Sequence, residues 1–388
     1  MEWKSDNLEN LLDAIIDYRG KTPTKTSVGI PLVTAKIIKN GVINEFNEFI
    51  AEEDYDRWMV RGLPKPGDVV LTTEAPLGEV AQLDERKIAL AQRVVCLRGK
   101  RDILDNTYLK YYFLSNYGKK KLKSRESGTT VTGIKQSELR QVEVRYPSFE
   151  NQKRIASILS SLDDKIAVNR RICENLEAQA QALFKNWFVD FAHLKMISID
   201  EISVKVTDGV HNTVKDEING DYMLLSCKNI VGGTLSISDK ERTIGKETFD
   251  KLRKRTELSK GDILISTVGT VGEIVLLNEE PNNIEFQRSV GIIKPNTQKI
   301  SSYYLYLALK QRQNELVHSA HGAVQQCIFI SDLKKFEIID APKTKIDEFD
   351  KIVVPIFEKI KINQQENLRL STLRDTLLPK LMSGEIKI

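Results

Sequence analysis

The sequence has few cysteines, and no two of them form the Cys-x-x-Cys pair that zinc knuckles and thiol–disulfide oxidoreductases require. The four cysteines of the 388-residue chain are Cys96, Cys173, Cys227 and Cys327. Cysteines scattered in this way usually act as small buried hydrophobic residues. His318 and His321 lie three residues apart, but no acidic residue or cysteine beside them completes a metal site at the usual spacing. We therefore expect no metal ion.

Motifs for catalysis and cofactor binding are also missing. No G-x-x-x-x-G-K-S/T segment is present, which excludes a P-loop motor, and no G-x-G-x-x-G turn follows a strand, which argues against a dinucleotide site. The Asn-Pro-Pro-aromatic motif of amino-methylating DNA methyltransferases is absent as well. The acidic run Glu52-Glu53-Asp54 is more typical of a solvated face than of nuclease carboxylates. The sequence therefore predicts neither catalytic residues nor a bound cofactor.

Long apolar stretches are lacking too. None is long enough to cross a bilayer, and the first residues are acidic and polar where a secretion signal would be basic and then apolar. We therefore expect a cytoplasmic protein without a membrane-spanning segment. The formal net charge is only +4, so a nucleic-acid-binding protein of this composition must cluster its basic residues.

The chain repeats itself at an interval of half its length. Gly67-Asp68 and the β-branched run behind it return as Gly261-Asp262, an offset of 194 residues in a chain of 388. Further pairs follow in the same order: Gly78-Glu79-Val80 with Gly272-Glu273-Ile274, Gln92-Arg93 with Gln287-Arg288, Tyr108-Leu109 with Tyr304-Leu305, Ser137-Glu138-Leu139 with Ser331-Asp332-Leu333, and Tyr146-Pro147 with Ala341-Pro342. Six ordered matches indicate two copies of one unit, each long enough to be a domain with its own core.

Each copy opens with a part in which strand, turn and helix patterns alternate. Val69–Thr73 and Ile263–Thr267 are β-branched runs that predict strands. Short helices and closing strands are expected over Tyr108–Asn116, Tyr303–Gln313, Val142–Val144 and Phe336–Ile339. The pattern predicts a mixed α/β (α+β) globule in each copy.

Each copy closes with a long amphipathic helix. Glycine and proline disappear between Asn151 and Asp190, and apolar residues recur at steps of three and four, as in the narrow stripe of a coiled coil. The positions expected at the interface between the two helices are Leu162, Ile166, Asn169, Leu176, Leu183, Ile356, Ile360, Asn363, Leu370 and Leu377. Since an interior proline would break a helix, we expect Pro355 near the start of the second helix and Pro379 at its end or at a kink.

The two stripes favour pairing of the helices with each other. Antiparallel pairing is the simplest closure for a head-to-tail repeat, and packing of each stripe against a globular core is the alternative. Asn169 and Asn363 lie near the midpoints of the two helices, 194 residues apart. In an antiparallel pair the midpoints cross, so the two amides are expected to approach each other and fix the register. In the alternative arrangement both amides point to solvent.

Basic residues and polar loops recur at similar places in the two copies. Lys and Arg neutralise phosphates, hydroxyl groups fix the register on the backbone, and Arg or Gln pairs with base edges in the major groove. The candidate DNA contacts are Arg93, Lys121, Lys123, Arg125, Ser127, Thr129, Thr130, Lys254, Arg255, Arg288, His321, Gln325 and Gln326. A solvated face is the alternative for each charged cluster, and a buried structural role is the alternative for Arg93 and Arg288. Because the loops differ while the frame repeats, the two copies would read different half-sites.

Several segments resemble the specificity subunits of type I restriction–modification systems. The tail Leu377–Ile386 is very similar to the usual end of such subunits, and Asn151–Leu159 with Leu162–Ile166 is similar to the opening of their central helix. Gly261–Ser266 resembles a strand of their recognition domain. The resemblance covers essentially the whole chain. It is weakest at Ala341–Asp347, which lacks the Gln-Lys-Arg-Ile of the first helix, so the start of the second helix is left open.

The resemblance implies two target recognition domains, residues 1–150 and 198–342, separated by two long helices, residues 151–197 and 343–388, that form an antiparallel coiled coil. Each domain would read one half of a bipartite, asymmetric site in double-stranded DNA. The implied partners are two methyltransferase subunits, which bind the S-adenosylmethionine, and the restriction subunits. The free chain is a candidate for self-association through the surfaces that these partners cover.

Three other interpretations stay open on the sequence alone. In the first, the chain is a methyltransferase or nuclease of unusual type. In the second, it is a coiled-coil scaffold that binds no DNA. In the third, it is the recognition region of a larger fused restriction enzyme. The complete-looking tail disfavours the last of these.

Overall fold

The computed structural model describes residues 2–128, 132–190, 195–218, 220–238, 240–322 and 326–388. The chain divides into two compact units. Unit 1 consists of Met1–Val168 and Glu366–Ile388, and unit 2 of Asn169–Gln365. Each unit therefore contains a part of both long helices.

Unit 1 alternates short strands with short helices. Its strands are β1 (Lys4–Asn7), β2 (Leu12–Asp17), β3 (Ile30–Val33), β4 (Ile38–Lys39), β5 (Val42–Ile43), β6 (Phe49–Ile50), β7 (Val69–Thr72), β8 (Val80–Gln82), β9 (Ala89–Leu90), β10 (Val94–Gly99) and β11 (Glu143–Tyr146). Its helices are α1 (Leu8–Leu11), α2 (Tyr55–Trp58), α3 (Asn106–Leu114), α4 (Asn116–Lys123) and α5 (Gln136–Arg140), with a 3-10 turn at Glu52–Asp54. The long helix α6 (Phe149–Phe184) begins in unit 1 and ends in unit 2 with a π-turn at Lys185–Val189.

Unit 2 repeats this order. Its strands are β12 (Met196–Ser198), β13 (Ser203–Asp208), β14 (Tyr222–Leu225), β15 (Ile230–Val231), β16 (Thr234–Leu235), β17 (Arg242–Ile244), β18 (Ile263–Ser266), β19 (Ile274–Leu276), β20 (Ile284–Phe286), β21 (Val290–Pro295) and β22 (Glu337–Ile339). Its helices are α7 (Ile199–Ile202), α8 (Lys246–Thr256), α9 (Ser302–Gln311), α10 (Gln313–His318) and α11 (Ile330–Lys335), with a 3-10 turn at Cys227–Asn229. The long helix α12 (Lys343–Ser383) begins in unit 2 and ends in unit 1.

The sheets of the two units have the same topology. An antiparallel four-stranded sheet has the order β2-β10-β7-β8 in unit 1 and β13-β21-β18-β19 in unit 2. A three-stranded sheet, β6-β3-β9 or β17-β14-β20, contains one parallel pair, and β1-β11 or β12-β22 closes each copy. The predicted duplication and the mixed α/β character of each copy are therefore confirmed.

The strand that carries the repeated sequence is buried on both faces. Val69 and Leu71 of β7 belong to a core formed with α3 and the long helices, whereas Val70 between them belongs to a second core formed with β3 and β9. In β18, Ile263 and Leu264 divide between two cores in the same way. A strand covered on both faces needs apolar residues at successive positions, which explains the unbroken apolar runs in the sequence.

The repeated Gly-Asp pair has a structural role. The carboxylate of Asp68, only 1% exposed, binds the guanidinium of Arg98 at 2.7 and 2.8 Å and accepts the Lys65 amide at 2.8 Å. This contact raises the pKa of Arg98. Asp262 binds the ammonium group of Lys294 at 2.7 Å and the Ser259 amide at 2.9 Å. In both units the aspartate thus joins the turn before the central strand to a cation on the neighbouring strand.

The two long helices pair antiparallel within each unit. In unit 1 Asp163 binds Arg374 at 2.8 Å, and Lys165, further along α6, lies 3.7 Å from Glu366, earlier on α12. In unit 2 the thiol of Cys173 lies 3.7 Å from the carbonyl oxygen of Ile360, and the rings of Phe184 and Phe349 are 6.0 Å apart. The predicted antiparallel pairing is confirmed.

The residues predicted at the interface between the two long helices are all buried or half-buried. Asn169, Ile166, Ile360 and Asn363 are buried, and Leu162, Leu176, Leu183, Ile356, Leu370 and Leu377 are half-buried. Leu176, Leu183 and Ile356 also pack against the core of unit 2, and Leu377 against that of unit 1. The helices therefore contact both each other and the globular parts, so the two interpretations of the stripes are compatible.

Asn169 and Asn363 are 1% and 2% exposed, so neither amide points to solvent. Asn169 lies one turn before Cys173 and Asn363 one turn after Ile360, which are opposing positions in the antiparallel register of unit 2. Burial raises the pKa of the Cys173 thiol, and a hydrogen bond with Asn363 works against that shift. A direct contact between the two amides stays a prediction.

The expectation for Pro355 is wrong. Helix α12 begins at Lys343 and continues through Pro355 and Pro379 to Ser383. A proline removes one backbone hydrogen bond, here to the carbonyl of Lys351. Both Pro355 and Lys351 are exposed, so water can satisfy that carbonyl and the helix persists.

Replacing Asp68 with Ala should lower the free energy of unfolding by about 3 kcal/mol, because loss of one partner of a buried ion pair leaves the other charge uncompensated. Arg98 keeps only 18% of its side chain exposed. Asp262→Ala should act similarly through Lys294, which is 14% exposed. Urea unfolding of the purified variants measures the change.

The matched control is Asp84→Ala, which breaks an Asp84–Arg86 pair with both side chains more than half exposed. Exposed pairs contribute about 0–1 kcal/mol. Equal unfolding midpoints for Asp68→Ala and Asp84→Ala would contradict the structural role of the Gly-Asp pair.

Candidate nucleic-acid interface

One end of the four-stranded sheet gathers several loops in each unit. In unit 1, β2 and β7 finish at this end and β10 and β8 begin there. We call it the loop end. It is defined by Arg19, Glu74, Arg93 and Gly133 in unit 1 and by Val210, Val268, Arg288 and Cys327 in unit 2. Because these loops leave a sheet, the sheet positions the residues that the loops present.

A buried hydroxyl group fixes the first of these loops. The hydroxyl of Thr72 donates to the carbonyl of Pro76 at 2.6 Å and accepts from the Glu79 amide at 2.9 Å. In unit 2 the hydroxyl of Ser266 makes the same contacts with Thr270 and Glu273. Gly78 and Gly272 close the turns with φ of +92° and +88°, a conformation that favours glycine.

A second segment pairs with this loop. In unit 1 Gly133 forms bridges with both Glu74 and Ser127, and the Ile134 amide donates to Thr73 at 2.9 Å. In unit 2 Cys327 bridges Val268 and His321, and the Ile328 amide donates to Thr267 at 2.9 Å. The backbone frame of the loop end is therefore the same in both units.

Arginines hold the loop that follows the first strand of each sheet. Arg61 donates to the carbonyls of Asp17 and Arg19 at 3.1 and 3.0 Å. Arg255 lies 194 residues later and donates to the carbonyls of Gly209 and Asp208 at 2.8 and 3.1 Å. Arg19 pairs with Asp17 and also donates to the carbonyl of Ile134. These guanidinium groups position loops and have few donors left for a ligand.

Arg93 and Arg288 lie at the loop end and are not buried. Arg93 is half exposed and its Nε lies 2.8 Å from Oε1 of Glu74. Arg288 is exposed, and within the part of the chain that the structure describes its side chain makes no ion pair or hydrogen bond. Backbone hydrogen bonds hold both residues in place. The carbonyl of Arg93 accepts a hydrogen bond from the Thr73 amide at 3.0 Å, and the Arg288 amide donates to the carbonyl of Val210 at 3.0 Å.

The basic residues in and just after α4 have different surroundings. Lys121 pairs with Glu143 at the start of β11, which raises the pKa of the Lys121 ammonium group. Arg125 pairs with Glu138 of α5 at 3.0 Å, and Lys123 is exposed at the end of α4. The structure therefore brings Ser127 to the loop end, but it directs Lys121 towards β11.

The remaining candidate DNA contacts belong to unit 2, except Thr129 and Thr130 of unit 1. The ring of His321 stacks on exposed Phe329 at 5.4 Å and lies 3.2 Å from Asp332, while Gln326 and Lys254 are exposed. Thr129 and Thr130 of unit 1, and Gln325 of unit 2, lie outside the described residues.

Sequence reasoning missed Glu74, Arg19 and Arg61. Arg61 was detectable, because it repeats as Arg255 at the offset of 194 residues. Glu74 was not, because nothing local distinguishes it from other surface glutamates and its counterpart in unit 2 is Val268. Its role depends on a contact across two loops.

The loop end suits polar recognition. Between them, the loop ends of the two units expose guanidinium, hydroxyl, imidazole and amide groups, which are the donors and acceptors that address phosphates and base edges. In the described ranges no group of three or more His, Cys, Asp or Glu side chains is close enough to hold a metal ion. Nor does any helix in those ranges have the length and apolar character to span a membrane.

Comparisons with known proteins agree with the duplication. The model of the type I restriction modification DNA specificity domain matches the chain twice, at residues 2–178 and 195–372. The type I restriction enzyme MjaIX specificity subunit of Methanocaldococcus jannaschii is 29% identical over 383 residues, covering 92% of this chain and 87% of that protein. The HindI specificity subunit of Haemophilus influenzae is 28% identical over 316 residues, covering 62% and 68%.

A solved structure shares the fold. The crystal structure of the type I restriction-modification system S subunit from M. genitalium aligns with a TM-score of 0.59 at 17% identity, over 98% of this chain and 96% of that one.

Replacing Lys121 and Arg125 together with Ala should weaken binding to all duplexes alike and reduce the slope of log affinity against log salt by about 2, since each phosphate contact contributes about 0.9. Fluorescence anisotropy of the full chain over a salt series, with specific and random duplexes, measures this slope.

Glu143→Gln and Glu138→Gln are the matched variants. They release the same two cations and remove two negative charges, so they should strengthen binding. A salt slope that is unchanged in the Lys121/Arg125 double variant would assign both residues a structural role only.

Proposed function

Because the chain belongs to the type I restriction modification DNA specificity family, we propose that each of its units reads one half of a bipartite, asymmetric DNA site. The resemblance drawn from the tail and the central helix is thereby confirmed. The chain is the DNA target recognition subunit of such a system and is not its catalytic subunit.

The observation that carries the proposal is the pair of loop ends on one repeated frame. The sheet order, the hydroxyl-held turn and the loop-fixing arginine recur in both units. The side chains presented on this frame differ. Glu74, Ser127 and Gly133 of unit 1 correspond to Val268, His321 and Cys327 of unit 2 at the offset of 194 residues. Two similar frames with different side chains support the reading of two different half-sites.

The long helices supply candidate surfaces for partners. Large apolar side chains are exposed on them although they contact no core: Val168, Leu368 and Leu373 in unit 1, and Ile352 and Ile362 in unit 2. Contiguous exposed apolar side chains mark interaction sites, so these positions are the candidates for such a surface. Since both units carry them, we assign them to two methyltransferase subunits, and the restriction subunits complete the complex. The same surfaces would drive self-association of the free chain.

We place the complex in the cytoplasm, because restriction–modification systems act on DNA inside the cell. The recognition domains proposed within the units are residues 1–150 and 198–342, and the helical segments are residues 151–197 and 343–388. In this arrangement the helices, each of which runs from one unit into the other, set the length of the unread DNA between the half-sites.

Exchanging residues 2–148 with residues 195–342 should reverse the order of the two half-sites, because both segments end where a long helix begins. Mapping methylated adenines in cells that express the exchanged chain with its methyltransferase subunits gives the order. An active complex that still methylates only the original order would contradict modular reading.

Inserting four residues after Asn169 and four after Asn363 should lengthen the unread spacer by one or two base pairs. One helical turn adds about 6 Å, close to two base-pair steps of about 3.4 Å. Inserting in both helices keeps their antiparallel register, and insertion in α6 alone is the control that disturbs it. An unchanged spacer in the active double-insertion variant would show that the helices do not set this distance.

A further inference from the structure

We infer that Arg93 and Glu74 together read one C·G base pair in the half-site of unit 1, the arginine binding guanine and the glutamate accepting the amino group of cytosine. This inference rests on the proposed function and deepens it, because it names a base pair and the two side chains that select it. Glu74 was not among the residues that the sequence singled out.

In the Arg93–Glu74 ion pair, the closest contact of the guanidinium is made by Nε and not by a terminal nitrogen. Glu74 contacts the guanidinium through Nε, at 2.8 Å. Within the part of the chain that the structure describes, the two terminal nitrogens of Arg93 form no hydrogen bond. An arginine that reads guanine end-on uses these two nitrogens for O6 and N7. The ion pair therefore holds the guanidinium beside Glu74, and its terminal N–H groups remain available to donate to a base.

The neighbouring arginines use their terminal nitrogens for hydrogen bonds with the protein backbone. Arg19 uses a terminal nitrogen for the carbonyl of Ile134, and Arg61 uses one for the carbonyls of Asp17 and Arg19. In unit 2 Arg255 commits both terminal nitrogens to the turn at Asp208 and Gly209. Among the described arginines at the loop end of unit 1, Arg93 is thus the one that is half exposed and has no terminal nitrogen hydrogen-bonded to the protein.

Both residues of the pair stand on a fixed backbone. The Thr73 amide donates to the carbonyl of Arg93 at 3.0 Å, which joins the two loops directly beside the pair. Glu74 forms a backbone bridge with Gly133. A Cβ atom added to Gly133 would lie only 2.9 Å from the Thr73 oxygen and 3.0 Å from Cβ of Glu74, so the two segments are in close contact. Because the backbone of both loops is already held in place, binding requires less ordering of the loops, which favours recognition.

A carboxylate at a DNA-binding edge requires a specific partner. Near phosphates it is repelled, and near the O4 of thymine or the O6 of guanine it faces another acceptor. The amino group of cytosine is a donor in the major groove, and Glu is a side chain that accepts from it. In a C·G pair this donor lies beside the O6 and N7 acceptors of guanine. An arginine fork next to a carboxylate presents the complementary pattern.

Unit 2 lacks the acidic half of the pair. Arg288 occupies the place of Arg93 and is exposed, but Val268 stands where unit 1 has Glu74. The C·G test is therefore confined to unit 1, in agreement with two different half-sites.

The test uses the full chain assembled with its methyltransferase subunits. The wild-type site is first defined by mapping methylated adenines, and affinity is then measured for duplexes that differ at single pairs of the unit 1 half-site. In Glu74→Gln the amide can donate to thymine O4, so preference for C·G over T·A at one position should fall on the order of ten- to hundredfold. Arg93→Met removes every side-chain donor at this position, so preference for guanine should fall at the same position.

Asp84→Asn is the matched control. It removes a carboxylate from an exposed pair with Arg86, which follows β8 at the opposite end of the sheet, and it should leave the recognised sequence unchanged. Relaxation of one C·G pair by both loop-end variants and not by the control supports the inference.

Two results would overturn the inference. If Glu74→Gln keeps wild-type discrimination at every position, or if the relaxed position is not a C·G pair, the base-pair assignment is wrong while the bipartite reading stands. If the wild-type complex methylates DNA without a bipartite site, the proposed function fails and the assignment fails with it.

Discussion

Burial of the central strand of each sheet on both faces is the constraint on which the rest of the molecule depends. Val69, Val70 and Leu71 are all fully buried, so β7 cannot shift by one residue without exchanging its two cores. Its end at Thr72 is fixed equally well, because the buried hydroxyl spans the turn that follows. The core thus determines the geometry of the loop end, because the loops leave a strand that is buried on both faces.

The long helices depend on the same cores. Ile155 and Leu159 of α6 and Leu381 of α12 are part of the core that holds Val69 and Leu71. Asp163 adds a polar link, accepting from Tyr111 at 2.6 Å and from Arg374 at 2.8 Å. Each helix is therefore anchored along its length by contacts with a globular part, and its position relative to the loop end of that unit is determined by packing.

Sequence reasoning recovered what periodicity and repetition encode. The offset of 194 residues predicted two copies, and the structure gives two sheets with the same strand order. Side-chain partners were not encoded in this way. The contact of Glu74 with Arg93 depends on how two loops meet, and the pairing of Lys121 with Glu143 depends on how α4 lies beside β11. The expectation for Pro355 was wrong because only the structure shows that this side of the helix is exposed.

The distribution of ion pairs separates stability from specificity. Asp68 and Arg98 pair in the interior, where losing one partner costs several kcal/mol, and this arrangement recurs in unit 2 as Asp262 and Lys294. Arg93 and Glu74 pair at the half-exposed loop end, where a pair contributes about 0–1 kcal/mol, and this arrangement does not recur. If the loop end reads DNA as proposed, a substitution there changes the recognised sequence with little effect on folding. The repeated frame tolerates different loop ends because the residues that hold it together are not the residues that it presents.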